Sequence, residues 1–293
     1  MTVPARISVV VLTHNRRAEL MRTLHRLASL PGRHPMIVVD NGSTDGTAAA
    51  VRREFPGLDL VRAPSNLGAA GRNLGVREAD TEYVAFCDDD TCWEPDALET
   101  AVGILDMAPE IGVLNARVLV GPQGHPDPAC AAMQESPLPE QPGVGPRLLG
   151  FMAGACVMRT DVFRQAGGYW PPLMIGGEEA LLALDILEQG WRIVYAPAVC
   201  TRHWPSAARD APLRRRLLAR NAVWTAWLRL PAAMAWHATA REFRLQPSMR
   251  ARLRLARDVS HGVGAVLARR RVVSPRVCEL LACDERQRLD RRA

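Results

Sequence analysis

Short apolar runs alternate with helix-patterned segments through the first part of this chain, and that alternation admits few architectures. Ile7-Ser8-Val9-Val10-Val11-Leu12 is rich in β-branched residues, as a strand covered on both faces must be. Leu20, Leu24 and Leu27 then recur at i, i+4 and i+7, and Pro31-Gly32 ends the helical pattern. Met36-Ile37-Val38-Val39 reads as a second strand, Leu58 to Val61 as a third and Tyr83-Val84-Ala85-Phe86-Cys87 as a fourth. Between them, Ser43, Thr44 or Asp45 is placed to cap a helix through Phe55, and Asn66-Leu67-Gly68 opens a helix running to about Ala79. This order implies an α/β fold: a mainly parallel, Rossmann-like sheet flanked by helices, with right-handed crossovers. Ligands of such sheets bind outside the carboxyl ends of the strands.

Three polar clusters fall at those ends: Thr13-His14-Asn15, Asp40, and Asp88-Asp89-Asp90. Three adjacent carboxylates repel one another and cannot fill a core, so their place at the end of a buried strand points to a bound cation. A divalent metal holding a diphosphate fits best, because Mg²⁺ takes one or two protein carboxylates plus substrate phosphates and Mn²⁺ accepts similar ligands. Standing alone, the triplet would read as a solvated acidic turn.

Val10-Val11-Leu12-Thr13-His14-Asn15-Arg16, Val38-Val39-Asp40-Asn41-Gly42-Ser43-Thr44-Asp45 and Asn66-Leu67-Gly68-Ala69-Ala70-Gly71-Arg72-Asn73 together resemble the nucleotide-binding half of family 2 glycosyltransferases, which have the GT-A fold. Asp88-Asp89-Asp90 is similar to that family's metal-binding DxD motif. Gly167-Gly168-Tyr169, Gly177-Glu178-Glu179 and Trp191-Arg192-Ile193-Val194-Tyr195-Ala196-Pro197 resemble the acceptor half, ending in His203. The resemblance covers roughly residues 5 to 231, with these motifs in the family's order.

The resemblance implies transfer of a sugar from a nucleotide-diphosphate donor, UDP or dTDP by preference, to an acceptor hydroxyl with inversion. On that footing the donor-binding residues are Thr13, Asn15, Asp40, Asn66, Arg72, Asp88 and Asp89. Asp40 accepts a hydrogen bond from a pyrimidine base or ribose, Thr13 lines the base pocket, and Arg72 grips base or phosphate with its fork. Asp88 lies near ribose or metal, Asp89 faces the donor sugar, and Asp90 ligates a divalent cation, Mn²⁺ or Mg²⁺. His203 completes the metal shell, since imidazole suits Mn²⁺ better than Mg²⁺. The acceptor is a glycan, a lipid-linked sugar or a small molecule.

The family places its general base in a Glu-Asp pair at a helix start, which here reads Glu178-Glu179, so the catalytic carboxylate implied is Glu179. The extra methylene moves that carboxylate outward by on the order of 1 Å, which matters in a near-attack geometry. A second departure is Leu181, where the family often has Asp.

Composition fits a cytoplasmic enzyme. Seven cysteines without a C-x-x-C pair argue for reduced thiols, and neither a signal peptide nor an 18-residue apolar span is evident. The motifs divide the chain into a catalytic domain over residues 1–205, with halves at 1–92 and 93–205, and an Arg-rich helical C-terminal appendage over 206–293. Gly121 to Gly145, rich in Pro and Gly, reads as a long loop over the acceptor side. Residues 209–293 hold 20 Arg against 7 acids, net +13, so the rest must carry −7 for the total of +6. No lysine occurs anywhere, a coding bias that weakens Arg abundance as evidence. Leu217, Leu218, Val223, Trp224, Trp227 and Leu228 form an apolar stripe, and Leu253, Leu255, Val259, Val263, Val266 and Leu267 recur among arginines. Basic helices of this kind lie on anionic membrane as peripheral contacts, cover their own catalytic domain, or pair in a homo-oligomer. No nucleic-acid module is present, so nucleic acid is not an expected partner.

Two other functions share parts of this pattern. A nucleotidyltransferase would show a Gly-rich basic loop after the first strand, where Thr13-His14-Asn15-Arg16 stands. A catalytically silent sugar-nucleotide-binding or scaffold protein would bind donor without turnover.

Overall fold

The computed structural model describes residues 4–32, 34–205 and 211–290. Its first half follows the strand-helix order read from the sequence. Strand β1 (Ile7–Thr13) leads into helix α1 (Arg17–Ala28), whose Leu20, Leu24 and Leu27 are buried. Next come β2 (Met36–Asp40), α2 (Thr47–Glu54), β3 (Asp59–Arg62), α3 (Arg72–Glu78) and β4 (Tyr83–Asp88). Before α2 the side chain of Asp45 takes the Thr47 amide at 3.1 Å and the Thr47 hydroxyl at 2.5 Å. Asp45 therefore fills the capping role, one position ahead of Gly46. The segment expected to be one helix from Asn66 begins as a 3₁₀ turn, Gly68–Gly71, and becomes α-helical only at Arg72.

The second half supplies β5 (Thr91–Trp93), α4 (Ala97–Met107), β6 (Ile111–Val120), β7 (His125–Pro126), α5 (Pro128–Gln134), β8 (Glu140–Gln141), β9 (Gly145–Leu148), β10 (Cys156–Arg159), α6 (Thr160–Gln165), α7 (Glu178–Glu188) and β11 (Arg192–His203). The stretch from Gly121 to Gly145 is thus not a bare loop. Asp127 caps α5 by accepting from the Ala129 amide at 2.8 Å, and Cys130 anchors that helix in the core. The Pro and Gly that looked like loop punctuation include a Pro at the first helical position, where its missing N–H costs nothing.

All the strands join one mixed sheet, with order β3-β2-β1-β4-β10-β6-β11-β9-β8; β5 pairs with β11 and β7 with β6. β1, β2, β3 and β4 run parallel, and β10 enters antiparallel to β4. Two apolar layers cover the sheet, one holding Val10, Ile37, Val39 and Phe86, the other Val9, Val11, Val38 and Cys87. Alternate residues of each strand feed opposite layers, which is why these strands read as continuous apolar runs.

Helices α8 (Ala211–Arg229), α9 (Ala232–Arg244), α10 (Met249–Ser260), α11 (Val263–Ala268) and α12 (Pro275–Asp290) complete the chain. They share core with the rest: Trp224, Leu228 and Val266 pack with Trp170, Leu173 and Leu181, while Val273 and Val277 enter one of the sheet's layers. Among the described residues no helix is long and apolar enough to cross a membrane.

Candidate active site

Parallel register sets the carboxyl ends of β1, β2 and β4 side by side, pairing Thr13 with Asp40 and Leu12 with Asp88. Asp88-Asp89-Asp90 closes the turn into β5, and its members are answered separately. Arg72, at the start of α3, pairs with Asp88. Arg16 spans the other two, donating to Asp89 at 2.5 Å and to Asp90 at 2.9 Å. Thr13 donates its hydroxyl to Asp89 at 2.9 Å. His203, from the end of β11, brings Nε2 to 3.6 Å from Asp90, and the Trp204 amide donates to the Asp90 carbonyl at 2.8 Å.

Asp89 and Asp90 are buried, whereas the Asp88 side chain is 40% exposed. Both oxygens of Asp89 are taken, one by Arg16 and one by Thr13, so Asp89 braces Arg16. Burial pushes Asp89 up to about 7 despite those partners. Burial acts in the same direction on Asp90, but His203 beside it and the hydrogen bond from Arg16 outweigh it and hold the carboxyl well below the usual range. Asp90 keeps its charge at any pH near neutrality. Gly154 backs this arrangement, since a Cβ there would collide with the Asp88 carboxylate.

The other expected donor residues sit around the ends of β1 and β2. Asp40 is fully buried; its Oδ1 accepts from the Ser43 amide at 2.9 Å, and Arg62 Nε stands 3.2 Å from Oδ2. Asn15, at φ +52°, links the two loops by donating its amide to the Ser43 hydroxyl and accepting from the Thr44 amide. Asn66 turns inward, accepting from Asn41 at 3.1 Å and from the Gly68 amide at 2.9 Å. It shapes the loop before α3.

Glu178 and Glu179 open α7 behind Gly177, whose φ of +78° suits glycine. Glu178 is buried and pushed up to about 7, by burial first and the Glu179 charge second; burial raises Glu179 as well. Arg72 joins the two halves electrostatically. Burial disfavours its charge, which is held chiefly by Asp88, with Glu178 and Glu179 adding to it where they are ionised. Arg16 Nε, Asp40 Oδ2, Arg72 Nε, Tyr169 Oη and Glu178 Oε2 are buried with no protein hydrogen-bond partner. Each such group costs roughly 1–3 kcal/mol; Trp93 Nε1 in β5 and Thr225 Oγ1 in α8 are two more, but the cluster at the strand ends marks a place for a polar ligand.

Oxygen donors from Asp88 and Asp90 with an imidazole from His203 suit a divalent cation in chemistry. Their arrangement is not that of a closed metal site. Asp88 is drawn to Arg72, and among the described residues no group of three or more His, Cys, Asp or Glu stands in metal-holding geometry.

Sequence reasoning missed Arg16 and Asn41 as site residues. Arg16 had a signal, because three adjacent acids at a strand end need a cationic partner and it follows the neighbouring strand end. Asn41 had none: it donates to Asn66 and the Gly68 carbonyl and accepts from the Leu67 amide, contacts visible only once β2 and the α3 loop meet.

The model of the family described as Glycosyl transferase family 2 matches residues 8–167, more than half of the chain. The chain belongs to glycosyl transferase family 2. The match ends before Glu178-Glu179, short of the stretch to residue 231 that the motifs cover. An N-acetylglucosaminyl-diphospho-decaprenol L-rhamnosyltransferase of Mycobacterium tuberculosis is 25% identical over 236 residues, covering 67% of this chain and 75% of that protein. A Haemophilus influenzae protein described as an uncharacterized glycosyltransferase is 29% identical over 110 residues, 37% of each chain. This chain therefore spans little more than a third of that second relative. Among solved structures, a mannosyltransferase from Pyrobaculum calidifontis in complex with GDP-Man and Mn²⁺ superposes with TM-score 0.60 at 22% identity, over 98% of this chain and 81% of its own. Residues 1–349 of Staphylococcus aureus TarS in complex with UDP-GlcNAc give 0.61 at 19% identity, over 94% and 83%. The family 2 fold here is accordingly GT-A.

Proposed function

We propose that this family 2 protein is an inverting glycosyltransferase, moving a sugar from a nucleoside diphosphate to an acceptor hydroxyl. The observation that carries the reading is the set of buried polar atoms lacking partners around Arg72, between the acidic strand end and Glu178-Glu179. In this reading Asp40 and Thr13 receive the base or ribose of a uridine or thymidine diphosphate, with Asn15 and Asn66 shaping the loops around it. Arg72 exchanges Asp88 for donor phosphate, and Asp88 turns to the ribose. A divalent ion held by Asp88, Asp90 and His203 would neutralise charge on the departing diphosphate, with Mn²⁺ favoured by the imidazole.

The remaining chemistry is a proton. Glu179 takes it from the acceptor hydroxyl as that oxygen attacks from the face opposite the diphosphate, so the anomeric centre inverts. Burial raises Glu179 toward the pKa range in which a general base works best. A lipid-linked sugar fits the acceptor side. Exposed Ile175 and Leu218 flank Gly177, and the Arg214 charge reaches Glu179, an apolar rim with a cation suited to a diphosphate. The Mycobacterium tuberculosis relative, by its name, acts on such an acceptor.

A thermal-shift panel of UDP, dTDP and GDP sugars with and without Mn²⁺ tests donor binding, since a ligand bound only by the folded state raises the midpoint. Equal affinity for guanosine and uridine diphosphates would remove Asp40 from base reading. Glu179→Gln should cost about 10²- to 10⁴-fold in turnover while donor still binds, and Glu179→Asp should keep much of the rate. Wild-type turnover by Glu179→Gln with Glu178→Gln inactive would move the base to the neighbouring carboxylate. A donor that binds and never turns over would leave a silent sugar-nucleotide binder.

A further inference from the structure

The acidic pair opening α7 sits at the end of a strained loop, and a C-terminal helix holds that loop. Met174 has φ +60° and ψ −80°, unusual for a residue with a Cβ, and Gly176 and Gly177 follow at φ +89° and +78°. Backbone of this kind persists only where its surroundings over-determine it. From the nucleotide side, the Ala69 amide donates to the Met174 carbonyl at 2.7 Å, and only glycine fits at position 68 against that carbonyl.

From the other side come two adjacent residues of α8. Asn221 is fully buried, and its amide nitrogen lies 2.8 Å from the Leu173 carbonyl, 2.7 Å from that of Gly176 and 3.2 Å from that of Ile175. Arg220 fixes the amide's orientation by donating to Asn221 Oδ1 through Nε at 3.0 Å and Nη2 at 2.7 Å. The same Nη2 stands 3.0 Å from the Pro172 and Leu173 carbonyls, and the guanidinium lies over the Trp224 ring at 4.2 Å. Of the five consecutive positions 172–176, the carbonyls of all but Met174 are thus tied to one turn of α8.

We propose that Asn221, with Arg220, is a positioning residue for the reaction: it fixes the loop that aims the Glu178-Glu179 carboxylates. The inference rests on the glycosyltransferase reading above. A displacement of about 1 Å at a reacting group costs on the order of 10²-fold in rate, so a loop held on both sides is a catalytic requirement as well as a packing feature.

The test uses full-length Asn221→Ala and, in case that variant does not fold, Arg220→Gln, which removes only the outer ties. Hydrogen exchange needs no substrate. Amides of residues 174–180 should exchange at least about 10-fold faster while those of β1 and β4 hold their protection. In turnover, kcat should fall by about 10- to 100-fold with donor affinity unchanged within about 2-fold. The acid limb of the kcat profile should move as the Glu178-Glu179 surroundings loosen, a change that lost stability alone does not produce. Combined with Glu179→Gln, Asn221→Ala should add little, because both act through one carboxylate. Wild-type exchange at 174–180 in both variants, or a loss of kcat that adds in full to that of Glu179→Gln, would overturn the proposal. A wild-type protein that transfers no sugar would sink the functional reading instead, and the exchange result still decides whether α8 holds the loop.

Discussion

The strand ends and the C-terminal helices serve the site in opposite ways. At the strand ends, side chains face the place where ligand would sit, and several are buried without partners. In the C-terminal helices, Asn221 and Arg229 are satisfied by the protein itself and act on α7 and the loop before it, although Thr225 Oγ1 has no partner. Arg229 pairs with Asp185 of α7 at 2.6 and 3.0 Å, both groups buried, and Arg271 reaches the same carboxylate at 3.2 Å. Ser274 donates to Glu188 through its amide and hydroxyl, and Arg276 donates to the Leu187 carbonyl. Part of the tail's excess positive charge is therefore spent inside the molecule, on α7. What differs is how much unmet hydrogen-bonding capacity each region holds, several atoms around the strand ends against Thr225 Oγ1 in α8.

The largest expected effect breaks this comparison from the C-terminal side. Asp185→Ala strands Arg229 as a buried charge, which typically costs about 3–5 kcal/mol, and chemical denaturation should register the loss. Donor affinity per folded molecule should stay near wild type. If stability is unchanged, the tail is an appendage after all.

From the strand ends the expected effect is on rate. Asp90→Ala should lower turnover by about 10²- to 10³-fold and abolish the Mn²⁺-dependent part of the donor's thermal shift. It leaves Arg16 with Asp89, so unfolding should move much less than in Asp185→Ala. Full activity of Asp90→Ala in the presence of EDTA would refute the metal assignment.

A smaller effect follows from Glu178, whose folded pKa of about 7 lies above that of an unfolded glutamate. The stability this shift represents is complete below the unfolded value and is lost as pH rises through 7. Wild type should therefore weaken between pH 5 and pH 8 by on the order of 1 to 3 kcal/mol relative to Glu178→Gln, which removes the ionisation. Parallel pH dependence of the two midpoints would mean that Glu178 is not held neutral by its burial.

The same contrast explains what could be read from the residues in advance. Strands β1, β2 and β4 announce themselves because burial on both faces demands unbroken apolar runs, and Asp88 to Asp90 stand out because three acids have no place in a core. Tyr83 to Cys87 and the triplet are contiguous, so strand, end and chemistry arrive together. Asn221 and Arg229 carry no such mark. An asparagine and an arginine within α8 look like solvated helix residues until α7 and the loop before it are packed against them, since their partners lie 45 to 48 and 44 positions away. The short helix α5 was hidden for a different reason: Pro128 begins it, and proline was counted as a loop signal.

The smallest effect concerns the tail's outer face. Apart from Met107 and Ile175, the exposed large apolar side chains among the described residues all lie between Leu213 and Val272. Trp236 is 63% exposed, Met249 65% and Leu253 64%, and Arg250, Arg252 and Arg254 stand beside the last two. Apolar anchors ringed by arginine match an anionic lipid surface, where each basic residue contributes about 1 kcal/mol of attraction that salt screens. The intact protein should float with vesicles containing acidic lipid, stay behind with neutral ones, and be released by salt. Trp236→Ser with Leu253→Ser should weaken flotation several-fold and leave turnover of a water-soluble acceptor unchanged. Light scattering that finds a dimer insensitive to acidic vesicles would assign this face to a second copy, and a monomer that ignores them would leave its arginines to solvent.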